Sequence, residues 1–132
     1  MQKLFGGVAV IADGGKHLLI QQSFKKPNGG QWRHPGGKFN QDESYESGLI
    51  REIKEETGLD IILTKLEPIM VMECDYPKGA YFGFFVAKLT GGELKTEKRE
   101  IMNAGWFRVS EIAGMNLMAA TRKFYQKIYK TK

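Results

Sequence analysis

The chain has 132 residues, of which 42% are hydrophobic and 27% are charged, and this composition excludes disordered, collagen-like and coiled-coil proteins. We expect one domain spanning residues 1–132. The net charge is +5, and the excess falls at the C-terminal end, on Arg122, Lys123, Lys127, Lys130 and Lys132. Such a run is more typical of a solvated helix face than of a nucleic-acid-binding surface, so nucleic acid is disfavoured as a partner.

The sequence also argues against membrane insertion and export. No apolar stretch approaches the roughly 20 residues that a membrane-spanning helix needs. The apolar run over residues 4–12 contains Gly6 and Gly7 and lacks a small-residue cleavage site, so no signal peptide is expected. Cys74 is the only cysteine and cannot form an internal disulfide. We therefore predict a protein of the reducing cytoplasm with no membrane partner.

The first third of the chain is predicted to be extended. Residues 5–12 and 17–23 are apolar and flank the turn residues 13–15, so they predict a hairpin or two neighbouring strands. A loop is expected at residues 27–30. Residues 32–35 form a short extended piece, because a residue before proline is disfavoured in the α region.

A helical period follows over residues 44–57. A core-facing stripe recurs every four residues, at Tyr45, Leu49 and Ile53. Acidic residues occupy another face, at Glu52, Glu55 and Glu56. Gly58 then fits the left-handed position that commonly ends a helix, while the preceding Gly36-Gly37 supplies backbone freedom.

The second half predicts further strands and a final helix. Strands are expected at residues 61–63, 68–73, 81–89 and 106–109. The final helix is expected at about residues 116–129, with Leu117, Phe124 and Ile128 along one side. Together these elements predict an α/β fold in which a mixed β-sheet lies between helices.

The acidic face of the first helix has two interpretations. Glu52, Glu55 and Glu56 stand at i, i+3 and i+4, so their carboxylates share one patch and repel one another. The helix alone is consistent with a solvated surface. A bound Mg²⁺ is favoured when the flexible Pro35-Gly36-Gly37 segment and Lys38 are considered too, since both can approach phosphate or metal.

Nine positions between Gly37 and Leu59 follow a fixed spacing: Gly37, Glu43, Arg51-Glu52-Ile53, Glu55-Glu56 and Gly58-Leu59. This pattern covers 23 residues and resembles the Nudix hydrolase signature without a departure. The segment from Trp32 to Gly37 and the later Gly105-Trp106-Phe107 also resemble that family. The resemblance implies an α/β/α sandwich that hydrolyses a nucleoside diphosphate linked to another group.

The resemblance also implies which residues form the site. Metal ligands would be Gly37 through its carbonyl, Glu52, Glu55, Glu56 and a later glutamate, for which Glu100 is our first choice and Glu97 our second. Mg²⁺ is the implied metal, with Mn²⁺ as a substitute. Catalytic positions would be Glu52, also a candidate base for the attacking water, with Glu55, Glu56, Arg51 and Lys38. Glu43 and Arg51 match a pair that orients the loop and the helix.

The substrate is less determined by the signature. Trp32, Tyr76 and Thr121 are candidates for binding the base, and Tyr76 stands seventeen residues after Leu59, as in dinucleoside polyphosphate hydrolases. The compact length and the Pro-Gly-Gly-Lys run favour a nucleoside triphosphate pyrophosphohydrolase releasing a nucleoside monophosphate and pyrophosphate. A dinucleoside polyphosphate or nucleotide-sugar hydrolase stays open, as does a non-catalytic RNA-binding module. Monomer and homodimer are both open.

One residue next to the signature departs from the family pattern. His34 replaces the apolar residue that is more usual before Pro-Gly-Gly, which could alter the floor of the substrate pocket. Cys74, His17 and His34 have no evident partners for nucleophilic catalysis, so we interpret each first as structural.

Overall fold

The computed structural model describes residues 3–96 and 100–132. The strands are β1 (Gly6–Asp13), β2 (Lys16–Gln22), β3 (Trp32–Arg33), β4 (Gly36–Lys38), β5 (Leu59–Leu63), β6 (Met70–Glu73), β7 (Tyr81–Gly92) and β8 (Ile101–Phe107). The helices are α1 (Tyr45–Thr57), α2 (Val109–Ile112) and α3 (Ala119–Tyr129).

The sheet is mixed, as predicted. Its centre is the parallel pair of β1 and β7, which runs from Gly6 opposite Phe82 to Ile11 opposite Ala87. The other pairings are antiparallel: β2 pairs with β1, β3 and β8, β7 pairs with β5 and β6, and β4 pairs with β1. A parallel pair requires a long crossover, which here includes α1.

The alternation of side chains along the central strands divides the core into two layers. Ala9 and Ile11 of β1 and Phe85 of β7 face α1, where they pack with Leu49 and Ile53. Val10 of β1 and Phe84 of β7 alternate with these residues and face the other way. There they pack with Leu19 of β2 and with Phe124 and Tyr125 of α3. The sheet is therefore covered by a helix on each face, and the predicted α/β/α sandwich is confirmed.

Helix α1 has clear local signals at both ends. Ser44 is the N-cap, and its hydroxyl accepts a hydrogen bond from the Ser47 amide at 3.0 Å. Gly58 ends the helix with φ 75°, a left-handed conformation that glycine adopts without a Cβ penalty. The predicted helix over residues 44–57 and its glycine cap are confirmed.

Two elements of the C-terminal third differ from the prediction. The strand expected at residues 106–109 is β8, which begins at Ile101, and Val109 starts the short helix α2 instead. The start of β8 carries no alternating apolar pattern, because Met102 and Asn103 are exposed and β2 pairing alone defines the strand.

Gly36-Gly37, predicted as a flexible connection, forms part of β4.

The final helix begins at Ala119 rather than near residue 116. The backbone before it is held extended by Trp32, whose amide donates to Asn116 and whose carbonyl accepts from Met118 at 2.9 Å. Leu117 is buried but lies outside the helix, and Ile128 is exposed. Phe124 is buried as predicted, and Tyr125 joins it on the buried face.

None of the helices within residues 3–96 and 100–132 is long and apolar enough to cross a membrane.

Candidate active site

Strand β4 brings two glycines against the sheet and against α1. A Cβ on Gly36 would lie 2.1 Å from the Gly7 carbonyl oxygen, so only glycine fits there. A Cβ on Gly37 would lie 2.7 Å from Glu52 Oε2. The missing side chain therefore allows the backbone of Gly37 to meet the Glu52 carboxylate, and two positions of the signature are joined by contact.

Arg51 gathers three carboxylates at this end of α1. Its guanidinium binds both oxygens of Glu43, donates to Glu52 Oε1 at 3.1 Å, and donates to Glu55 Oε1 at 3.2 Å. It also donates to the Lys38 carbonyl oxygen at 3.3 Å. The Arg51 side chain thus neutralises part of the acidic patch and ties α1 to the end of β4.

Glu56 is held separately and is buried. Its Oε1 accepts from the Gly36 amide at 2.7 Å, and its Oε2 accepts from Arg33 Nη2 at 3.0 Å. The side chains of this Arg33–Glu56 pair are only 19% and 8% exposed. Sequence reasoning treated Glu56 as part of an open acidic face, and the structure instead places it between β3, β4 and α1.

Burial and neighbouring charges shift the pKa values of Glu43 and Glu52 in opposite directions. Hydrogen bonds from Arg51 lower the pKa of Glu43 to about 2, helped by the Asn40 amide. Burial raises the pKa of Glu52, and the charges of Glu56 and Glu55 act in the same direction, while Arg51 opposes them. Glu43 is therefore a firmly ionised partner of Arg51, whereas the negative charge on Glu52 is destabilised.

The donor chemistry of this cluster fits a hard divalent cation. It consists of carboxylate oxygens on Glu52, Glu55 and Glu56 with the adjacent Gly37 backbone, and Mg²⁺ takes oxygen ligands of this kind. Within residues 3–96 and 100–132, no three acidic, histidine or cysteine side chains converge as a metal-binding group. The described carboxylates are engaged by Arg51 and Arg33 instead.

The later glutamate lies on the neighbouring part of the sheet. Glu100 precedes β8, and its carbonyl accepts from the Ser23 amide at 2.7 Å. Ile101 pairs with Gln22, and Gln22 accepts a hydrogen bond from Arg33. The contacts of Glu100 and Ile101 are made by the backbone, and they connect to the Arg33–Glu56 pair through Gln22. Glu97, our second choice, lies outside the described residues.

Two adjoining pockets form a groove beside Gly36-Gly37, the segment that Glu52 and Glu56 contact. Its first part, the β4 pocket, has a volume of about 220 Å³ and is lined by Phe5, Gly6, Gly7, Val8, Gly36, Gly37, Lys38 and Phe82. The second part, the apolar pocket, has a volume of about 120 Å³ and is lined by Val8, Arg33, His34, Phe82, Phe84, Met118, Ala120 and Thr121. Val8 and Phe82 belong to both, so the two pockets adjoin.

Two of the predicted binding residues line these pockets, and two do not. Lys38 lines the β4 pocket, and its ammonium lies 5.2 Å from the Phe5 ring centroid. Thr121 is buried in the wall of the apolar pocket. Trp32 is not a wall residue of either pocket, and it packs edge-to-face with Phe107, with ring centroids 5.0 Å apart. Tyr76 is 91% exposed and lies outside both pockets.

A buried polar network lies behind the apolar pocket. Tyr125 Oη lies 2.7 Å from His17 Nδ1 and 3.0 Å from His34 Nε2. Burial lowers the pKa of His17, and it lowers the pKa of His34 to about 3, with the charges of His17 and Arg33 adding to the effect. Both imidazoles are therefore neutral near pH 7, and they join β2, the β3–β4 connection and α3.

Comparison with known proteins agrees with this arrangement. The NUDIX domain family model matches residues 3–130. The chain belongs to the Nudix hydrolase family. The signature first seen in the sequence is therefore the Nudix signature, and the contacts of Gly37, Glu43, Arg51, Glu52 and Glu56 show how its positions meet in space.

Related Nudix proteins differ in total length. The chain is 33% identical over 106 residues to an 8-oxo-dGTP diphosphatase from Proteus vulgaris, covering 79% of this chain and 92% of that protein. It is 32% identical over 112 residues to a putative nudix hydrolase of Caenorhabditis elegans, covering 84% of this chain but only 29% of that protein. The chain thus spans under a third of that relative.

Solved structures show the same fold over nearly the whole chain. A MutT protein from Methanosarcina mazei superposes with a TM-score of 0.77 at 26% identity, covering 96% of this chain and 93% of that one. A MutT Nudix hydrolase from Burkholderia pseudomallei gives a TM-score of 0.74 at 29% identity, covering 97% and 99%.

Sequence reasoning missed Arg33 and the strand residues of the groove. Arg33 stands outside the Nudix signature, and its role depends on contact with Glu56 across twenty-three positions. The sequence offered one signal for Arg33: it is an arginine in an extended segment with no acidic residue nearby in sequence, so its ion-pair partner has to come from elsewhere in the fold. Val8 and Phe84 gave no signal at all, because apolar strand residues that line a pocket look like core residues.

Proposed function

We propose that this chain is a Mg²⁺-dependent hydrolase that cleaves a phosphoanhydride bond within the phosphate chain of a nucleotide. A nucleoside triphosphate is the first-choice substrate, with a nucleoside monophosphate and pyrophosphate as products. The observation that carries the proposal is the contact of Gly37 with Glu52 beside the β4 pocket, with Glu55 and Glu56 on the same helix. This contact supports a metal site next to Gly37, which also lines the β4 pocket.

We assign the metal site to Glu52, Glu55, Glu56, the Gly37 carbonyl and Glu100. When bound, Mg²⁺ neutralises phosphate oxygens and makes a coordinated water easier to deprotonate. Glu52 is our candidate for the group that accepts this proton. Arg51 positions Glu52 and Glu55 through direct hydrogen bonds, and Glu43 and the Lys38 carbonyl oxygen hold the Arg51 guanidinium in place.

The remaining residues of the groove suit the rest of a nucleotide. Lys38, at the end of β4, offers a positive charge to the phosphate chain from the wall of the β4 pocket. The apolar pocket beyond it suits a base, with Thr121 in its wall. Trp32 and Tyr76 stay weaker assignments, because neither lines these pockets. We place the reaction in the cytoplasm, because the sequence has a single cysteine, which cannot form an internal disulfide.

The names of two relatives support the triphosphate class. One is the Proteus 8-oxo-dGTP diphosphatase described above. The other is a CTP pyrophosphohydrolase of Escherichia coli, which is 40% identical over 52 residues and covers 39% of this chain. These names concern different bases, so the phosphate chain is the shared feature.

A substrate screen tests the proposal. Ribo- and deoxyribonucleoside triphosphates, 8-oxo-dGTP, dinucleoside polyphosphates and nucleotide sugars are incubated with Mg²⁺ or EDTA, and products are separated by chromatography. We expect Mg²⁺-dependent release of a nucleoside monophosphate, and in ¹⁸O-water the label should enter a phosphate group. Label on a sugar carbon, or no Mg²⁺-dependent product from any substrate, would refute the proposal. RNA binding without hydrolysis would instead favour the non-catalytic module.

A further inference from the structure

His34 is buried with one ring nitrogen unused. The residue is 1% exposed, and its Nε2 atom lies 3.0 Å from Tyr125 Oη. Its Nδ1 atom is buried and has no hydrogen-bond partner within residues 3–96 and 100–132. Because native proteins satisfy nearly all buried polar atoms, such an atom requires an explanation, for which a bound ligand or a water is the usual one.

The position of His34 favours a ligand. His34 forms part of the wall of the apolar pocket, whereas Tyr125 does not. Nε2 is bound to Tyr125, which lies outside this wall, so Nδ1 is the ring nitrogen of His34 left to meet a ligand, and the wall must shift to expose it because Nδ1 is itself buried. The other side-chain nitrogens of this wall belong to Arg33, which is already bound to Glu56, Gln22 and the His34 carbonyl.

The pocket has the size and walls for a flat ring. Its volume of about 120 Å³ is comparable with the roughly 150 Å³ of a cavity that accepts benzene. Phe82 and Phe84 supply aromatic surfaces, which favour contact with another ring. Met118 is a half-buried wall residue whose flexible side chain can move to admit a ring.

The buried network sets which proton the ligand must supply. Tyr125 Oη has one proton and two histidine neighbours, so one of the two imidazoles must donate to it. If the Tyr125 hydroxyl donates its hydrogen bond to His17, then His34 donates to Tyr125 through Nε2. In that case His34 Nδ1 accepts a hydrogen bond from a ligand N–H. In the reverse arrangement, His34 Nδ1 carries a proton and donates to a ligand carbonyl or ring nitrogen.

We propose that His34 is a specificity-determining residue whose Nδ1 atom forms a hydrogen bond to the polar edge of a nucleobase in the apolar pocket. This inference rests on the proposed function for the nature of the ligand. An apolar side chain at this position would distinguish bases by their shape alone. A buried polar atom that only the correct base can satisfy discriminates more strongly, because a base lacking the group leaves the atom unpaired.

Nitrogen NMR tests the contact without a substitution. Protein labelled with ¹⁵N-histidine is titrated in EDTA with AMP, GMP, CMP and UMP, the product class of the proposed reaction. At least one should shift His34 Nδ1 by several parts per million, and the direction identifies the tautomer. Ribose 5-phosphate, which has no base, is the control. No shift of His34 Nδ1 with any of the four would overturn the inference.

Kinetics test the consequence for specificity. The best substrate of the screen is compared with a triphosphate carrying a nonpolar isostere of the same base, difluorotoluene for a pyrimidine or a benzimidazole for a purine. The parent should prefer the natural base by at least about tenfold in kcat/KM. His34→Leu removes Nδ1 and should reduce that preference to within about threefold. General damage to the enzyme would lower both kcat/KM values alike and leave the preference unchanged.

Two further variants separate the nitrogens. His34→Asn has the size of His34→Leu but keeps polar atoms near Nδ1, so it should restore part of the preference. His34→Gln keeps a polar group near Tyr125 and should restore none. Equal preferences in the parent and His34→Leu, with hydrolysis intact, would overturn the inference and leave the proposed function standing. If no nucleotide is hydrolysed, the proposed function fails, while the NMR titration still decides whether His34 contacts a base.

Discussion

The two faces of the sheet assemble their functional residues in different ways. On the α1 face, four of the five proposed metal ligands come from one strand and the helix that follows it in the chain, namely Gly37, Glu52, Glu55 and Glu56. On the α3 face, the apolar pocket combines Val8, His34, Phe84 and Thr121 from distant segments. The first set has a fixed spacing in the chain, whereas the second set is brought together only by the fold. Substitutions on the two faces should therefore have separable effects.

The largest expected effect concerns packing on the α3 face. Phe124 is fully buried and stacks on Phe84, with ring centroids 4.7 Å apart. Phe124→Ala should lower the free energy of unfolding by about 3–5 kcal/mol, because it removes a large buried ring and leaves a cavity. Urea denaturation measures this. The stabilisation gained on adding Mg²⁺ should stay at the parent value, and a parallel loss of it would break the separation between the faces.

The converse variant is Glu56→Gln on the α1 face. It should reduce kcat by roughly 100-fold or more, since even residues that support a metal ligand contribute about 10–100-fold. It should also abolish most of the stabilisation by Mg²⁺, which is about 2.7 kcal/mol for the parent at a hundred times the dissociation constant. Glu46→Gln, on an exposed position of the same helix, is the matched control and should match the parent.

The Arg33–Glu56 pair adds a second expectation for Glu56→Gln. A purely acidic surface would tolerate the loss of one charge in EDTA. Here the substitution leaves the mostly buried Arg33 guanidinium without its anion, so the variant should melt below the parent in EDTA. An unchanged or higher melting temperature would show that the ion pair contributes nothing to stability.

The next effect is the pH dependence of stability. The pKa of His34 is about 3 in the folded chain, below its ordinary 6.5, so the unfolded chain takes up this proton first as the pH falls. The His34 contribution is therefore complete above pH 6.5 and is lost towards pH 3, by up to about 1.4 kcal/mol per pH unit. His17 acts in the same direction. Glu43, with a pKa of about 2, keeps its charge between pH 7 and pH 5.

Urea denaturation in EDTA at pH 7, 6 and 5 measures this slope. Glu52 has a raised pKa and opposes the histidines, so the parent is compared with His34→Leu, in which Glu52 is unchanged. The variant should lose less stability than the parent over this range. The same slope in both proteins would contradict a neutral, buried His34.

The smallest expected effect connects the two faces. Arg33 binds Glu56 and also lines the apolar pocket, so Mg²⁺ must compete with this ion pair. Arg33→Gln should tighten Mg²⁺ binding about fivefold, which corresponds to about 1 kcal/mol. Calorimetry with Mg²⁺ alone measures it. Arg122→Gln, whose guanidinium binds only carbonyl oxygens in the described contacts, is the control and should leave the affinity unchanged.

The features that could be predicted from the sequence are those with local causes. Helix α1 was predictable because Ser44, the stripe at Leu49 and Ile53, and Gly58 lie within one segment. The start of α3 was not, because Trp32 holds Met118 extended from across the fold.

The same distinction applies to the site. The signature identified the carboxylates by spacing, and it predicted the contact of Glu43 with Arg51. It did not predict the engagement of Glu56 by Arg33 or the burial of Tyr125 between His17 and His34. These contacts depend on the pairing of strands, which a single-sequence pattern does not specify.

The parallel pairing of β1 with β7 has a consequence for synthesis of the chain. Val8 pairs with Phe84, so the central strand pair stays open until 76 further residues have been made. At about 5–20 residues per second this delay is roughly 4–15 s. During that time α1 can form, but neither layer of the core can close around it. A nascent chain that stops before Tyr81 should therefore be sensitive to protease throughout, and full resistance should come only when β7, β8 and α3 have all emerged from the ribosome.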